Sequence, residues 1–207
     1  LSCSNYNPEI ENDNIRVGYI YDTKTQVFTK GLNLAFLISD KDGIDDIENI
    51  NINDTYNKIY WDLDKSNWFF NKVDDNSAWF AFSNLKPFKY KGFDSGTYKV
   101  TVYDYSKKEA NTSINIPSFN FEFQKMKIKR NIEFIKIENY EEFSDFILNY
   151  IIFDNDGNTL NYTKIDRADY KMIDLTNSFD KELNKNCKIY VYLFKEDENY
   201  FIYYGPY

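Results

Sequence analysis

The chain has 207 residues, 43% of them hydrophobic, enough for one large domain or two of roughly 100 residues, each burying a real core. Its 25 basic and 33 acidic side chains give a net charge of −8, which repels phosphate backbones and anionic membrane surfaces and argues against nucleic-acid binding. There is no histidine, which excludes imidazole triads, HExxH zinc sites and imidazole general bases; the two cysteines, Cys3 and Cys187, cannot build a zinc site that needs four thiolates.

The first residues, "LSCSN", place the small residue Ser2 before Cys3, and this resembles the end of a bacterial lipoprotein signal, in which the cysteine receives lipid. That resemblance implies Cys3 as a lipid anchor and residues 4–14, polar and poor in apolar residues, as a tether, with residues 1–14 outside the folded part. The alternative is an ordinary thiol paired with Cys187. From Ile15 onward apolar positions alternate. No apolar run approaches the roughly 18 residues of a membrane-spanning helix. In "TYKVTVY", Tyr98, Val100 and Val102 share one face and Lys99 and Thr101 the other, the period of a half-buried strand. A first β-sandwich is expected over 15–104 and a polar connector over 105–117, which holds "YSKKEANTS" and Pro117. A second β-rich unit follows over 118–207.

In that second unit "FNFEF" (119–123) sets three phenylalanines on one side. In "KIYVYLF" (188–194), Ile189, Val191 and Leu193 stand against Tyr190, Tyr192 and Phe194, so both faces are apolar and the strand is expected to be central. The stretch "NYEEFSDFILNY" (139–150) also admits a helix. "FLISDKDG" (36–43) and "YIIFDNDG" (150–157) repeat one order of apolar run, Asp, any residue, Asp, Gly, and this echo suggests two related units. The predicted fold is all-β, with two tandem immunoglobulin-like sandwiches. One elongated sandwich with a short helix in its second half is the alternative.

The acidic loops offer oxygen ligands at Asp40, Asp42, Asp45, Asp154 and Asp156. An EF-hand loop needs ligands at positions 1, 3 and 5 before its glycine at 6. With Gly43 or Gly157 at position 6, position 1 is Ile38 or Ile152, so both loops fail at the same ligand. A turn needs less, because Asp caps nearby backbone N–H groups and glycine accepts positive φ. The loops are therefore read as turns, with no cofactor and no catalytic residue expected and calcium as the alternative.

"DSGTYKVTV" (94–102) resembles the tyrosine corner of immunoglobulin-like sandwiches, with Tyr98 as the corner residue and Val100 where antibody domains carry a cysteine. Together with the "LSC" start, "SDKDGIDDIENI…YWDL…NW…GTYKVTVYD" resembles spirochaetal lipoproteins with β-sandwich ectodomains, which implies an envelope location and no known enzymatic activity. The second half departs from the pattern, lacking a clear tyrosine corner.

The 19 tyrosines, 18 phenylalanines and three tryptophans exceed what a sandwich of this size readily hides. Trp68, Tyr203, Tyr204 and Tyr207 are the candidate binding aromatics, whereas Trp61 and Trp79, inside apolar runs, are expected in the core. The expected function is a lipid-anchored, non-enzymatic binding or scaffold module of the envelope. Its partner is a protein or glycan, and it touches the membrane only through its lipid. A carbohydrate-active protein with a carboxylate pair beside aromatic rings is one alternative, and a calcium-stabilised adhesin is another.

Overall fold

The computed structural model describes residues 6–54, 59–85, 95–118, 125–130, 133–153, 159–166, 171–175, 187–195 and 200–207. Regular structure among them is strand, apart from 3-10 turns at Ile44–Asp46 and Tyr140–Phe143. The all-β, sandwich-like class expected from the period-two pattern is the class observed. Among the described residues no helix is long and apolar enough to cross a membrane. "FNFEF" and Cys3 lie outside the described residues, and Cys187 is buried.

Two compact units form, one from residues 1–17 and 30–119, the other from 18–29 and 120–207. The division falls inside β1 (Glu9–Asp22) and β2 (Val27–Ser39). β1 starts within the stretch expected as a tether. Residues 11–14 are exposed and polar, but a strand there requires only backbone pairing, which side-chain polarity does not report.

In the first unit β3 (Ile47–Asp54) lies between β4 (Ile59–Leu63) and β7 (Gly96–Asp104), and β8 (Glu109–Ile116) flanks β7; all pairs are antiparallel. Ile50 pairs with Val102 and Ile52 with Val100, so branched side chains face each other across the ladder and are fully buried. Tyr98 is buried on the same strand as the two valines, its ring 6.2 Å from that of Trp61. β8 corrects the expected connector at 105–117. It alternates polar outward with Ile114 and Ile116 inward, and the polar half of that alternation hid the strand. The unit's other strands are ordered β2, β6 (Ser77–Leu85), β5 (Phe69–Lys72). Leu34, Phe36 and Ile38 of β2 and Ala78, Phe80 and Phe82 of β6 are buried in register, each large side chain contributing about 1.5–3 kcal/mol.

In the second unit β14 (Lys188–Lys195) runs between β11 (Ile147–Phe153) and β15 (Tyr200–Gly205), with β12 (Thr159–Lys164) outside β11. The central position expected for 188–194 is thus observed. A separate sheet orders β13 (Met172–Asp174), β10 (Phe134–Ile137) and β9 (Ile128–Arg130). The helical alternative at 139–150 stops after one turn. Glu142, Ser144 and Phe146 donate to carbonyls three residues back, and β-branched Ile147, Ile151 and Ile152 then enter β11.

Gly18 of β1 lies against β15 so closely that a Cβ would stand 2.0 Å from the Phe201 carbonyl oxygen, a backbone atom that no rotamer change can move. Gly18→Ala is expected to destabilise the protein by about 2–3 kcal/mol in urea denaturation, whereas Met172→Ala, at an exposed position, changes it by less than about 0.5 kcal/mol. Equal midpoints for the two variants would contradict the close approach.

Candidate functional site

The loop joining β2 to β3 is pinned at both ends. Asp40 N–H donates to the Asn76 carbonyl (2.7 Å) and Ile44 N–H to that of Asp75 (3.3 Å), while Ile44 and Ile47 are buried. Gly43 takes φ +114°, and Asp40 Oδ1 accepts the Asp42 N–H at 2.9 Å, as the turn reading anticipates. At the far end of β7, Asp104 Oδ1 accepts the Lys108 N–H at 2.8 Å, and Tyr105 N–H reaches back to the Asp46 carbonyl at 3.0 Å.

These turns converge three carboxylates. Asp40, Asp46 and Asp104 each place an oxygen within 4.8 Å of the others; Asp40 is 1% exposed, Asp104 0%, and Asp46 half-buried. Asp40 Oδ2 and Asp46 Oδ1 are buried without a hydrogen-bond partner. Burial raises the Asp40 carboxyl above its ordinary range, and the charges of Asp42 and Asp104 add to the shift against the Asp42 N–H and Lys108. Burial, then the charges of Asp40, Asp104 and Asp42, push Asp46 up to about 6.

Of the oxygen ligands expected from sequence, Asp40 alone is in the cluster. Asp42 Oδ2 instead accepts the Tyr6 N–H at 2.8 Å, and Asp45 points outward to Lys72 at 3.4 Å. Asp154 and Asp156 lie outside the described residues. Asp46 and Asp104 complete the group. The register signal for Asp104 is its pairing with Ile47, which brings the end of β7 beside the start of β3.

Beside the same loop, Trp68 and Phe70 wall a cavity of about 270 Å³ whose floor is Ile44, Ile47 and Phe80 and whose rim carries Asp45 and Lys65. Trp68 is half-buried, edge-on to Phe80 at 4.9 Å. Phe69 is 56% exposed and Phe70 42%. Phe69 borders a second hollow of about 380 Å³ with Arg16 and Trp79. Trp61 is buried and Trp79 half-exposed.

The terminal aromatics differ from expectation. Tyr203 and Tyr204 are buried, because β15 pairs within the sheet and both its faces are covered. The Tyr204 hydroxyl accepts the Met126 N–H at 3.2 Å, and burial raises its pKa far above the usual phenol value. Tyr207 is half-buried, its carbonyl oxygen accepting from the Arg130 guanidinium and from Ile189 N–H. Phe69 and Phe70, passed over in the sequence, supply the exposed rings instead.

Fold and site define an all-β protein with a carboxylate triad, two of its members buried and one half-buried, and an aromatic cavity around one loop. No family model matches the chain, and no curated protein matches it. Among solved structures it is similar to Tp47, the 47-kilodalton lipoprotein of Treponema pallidum, at 11% identity and a TM-score of 0.40, over 95% of this chain and 50% of that one. It is also similar to dimeric latent PorU from Porphyromonas gingivalis, at 12% identity and a TM-score of 0.39, over 98% of this chain and 20% of that one. The chain thus spans half the length of the first and a fifth of the second.

In the folded chain Asp46 holds its proton up to about pH 6, against 3.8 for its ordinary value. Between about pH 4 and 6 the native state therefore binds more protons than the unfolded one, and this group's stabilisation, complete below that window, is lost as pH rises through it. In chelator, Asp46→Asn should be more stable than the parent at pH 7 and lose that advantage below pH 4. Urea titrations across pH 4–7 check this, and parallel curves would refute it.

Proposed function

We propose that this protein is a non-enzymatic binding module of the bacterial cell envelope, anchored by lipid at Cys3, and that its ligand is a glycan held in the Trp68–Phe70 cavity. The observation that carries the reading is the pair of partly exposed rings with a carboxylate and an ammonium at the rim. Aromatic faces cover the C–H surface of a sugar at small entropy cost, and Asp45 and Lys65 are placed to accept from and donate to its hydroxyls. Both rings already pack edge-on against Phe80 and so lose little freedom on binding. Asp45 is the one carboxylate in the lining among the described residues, which favours binding over the two-carboxylate hydrolysis chemistry.

The "LSC" motif supports the anchor, and the negative charge supports a neutral or weakly cationic partner over a phosphate-rich one. Glycan-array binding followed by calorimetry tests the reading. Trp68→Ala and Phe70→Ala are each expected to weaken the best glycan at least about tenfold with unchanged circular dichroism, since a truncated anchor of this kind costs more than about 1 kcal/mol. A glycan bound equally by both variants, or no binding across the array, would overturn it.

A further inference from the structure

We infer that Asp40, Asp46 and Asp104 form a calcium site. The turns account for only part of these side chains. Asp40 Oδ1 caps Asp42 and Asp104 Oδ1 caps Lys108, and an asparagine would accept either hydrogen bond without bringing a charge indoors. What the turns leave unexplained is three negative charges gathered in one place and two buried oxygens, Asp40 Oδ2 and Asp46 Oδ1, that accept nothing.

An unpartnered polar atom on a side chain 1% exposed carries a desolvation cost that a cation removes. A spread of 4.8 Å or less is spanned by a calcium ion holding oxygens at about 2.4 Å, with water completing its six to eight ligands. The donor set is all carboxylate, which selects a hard cation over zinc or copper. Oxygens fixed by separate turns suit calcium's irregular geometry better than the strict octahedron of magnesium.

The inference stands apart from the ligand of the aromatic cavity, and its test uses the full chain with calcium ions as the probe. Thermal melts in chelator and with free calcium a hundredfold above Kd should differ by about 5–10 °C. Calorimetry should give one site per chain. Asp46→Asn and Asp104→Asn should each weaken calcium at least about tenfold and at the same free calcium cut the shift to about half or less. Asp46→Asn tests the site without a folding defect, because it removes repulsion. Asp13→Asn, at an exposed acid of the same unit, should leave the shift intact. No calcium heat and no shift at 5 mM, or a shift unchanged in both cluster variants, would overturn the site.

Discussion

Apolar anchoring of the β2–β3 loop is the constraint on which the rest of the first unit's chemistry depends. Ile44 and Ile47 close the 3-10 turn from both sides, and burying two such side chains stabilises the loop by about 3–6 kcal/mol. That quantity is set against the repulsion the loop must tolerate. Two unit charges 4.8 Å apart repel by about 3–4 kcal/mol at an effective dielectric of 20. The terms are comparable, so the loop keeps its place but leaves its carboxylates under stress, and the stress escapes through protonation of Asp46 or through a bound cation. With the backbone held by the hydrogen bonds to Asn76, Asp75 and Tyr105, the acids cannot relieve it by moving apart.

One turn of chain therefore serves two environments. Asp45 projects to solvent, where it pairs with Lys72 and edges the aromatic cavity, while Asp46 faces the triad. Consecutive residues diverge because a 3-10 turn advances by a third of a revolution per residue. Any ion held by Asp46 would fix the backbone that presents Ile44 and Asp45 to the cavity. The charge centre and the ring-lined hollow are thus mechanically adjacent although they share no side chain.

Much of this architecture is legible from local pattern. The period-two runs that become β7 and β14 announce themselves, and the residues Asp40 to Gly43 announce a turn through the known preferences of Asp and Gly. Legibility stops where a feature depends on pairing between distant segments. Asp104 joins Asp40 only because β3 and β7 pair in a register with Ile47 opposite Asp104. β8 hides because its outward face is Ser, Asn and Glu, which local composition reports as connector. Tyr203 and Tyr204 suggest a surface from composition alone. Their burial follows from β15 having neighbours on both edges and cover on both faces, which no single segment encodes.

The contrast among the turn aspartates separates structural acids from the triad. Asp22 accepts the N–H groups of Lys24 and Thr25, Asp64 the N–H and hydroxyl of Ser66, and Asp74 the N–H of Asn76. Hydrogen bonds from Ser66 hold Asp64 below its ordinary pKa, and the Asn76 N–H does the same for Asp74. In those places the charge stays in water and the carboxylate is the better cap, since an ionised acceptor strengthens the bond at little desolvation cost. Asp40 performs the same capping, yet its pKa moves the opposite way, because burial and its neighbours' charges outweigh the bond it accepts. A turn alone is served at least as well by the exposed arrangement. What sets the buried one apart is its place: Asp40 is 1% exposed, its Oδ2 accepts nothing, and two further carboxylates lie beside it, so the triad is the part of the loop that the turn does not account for.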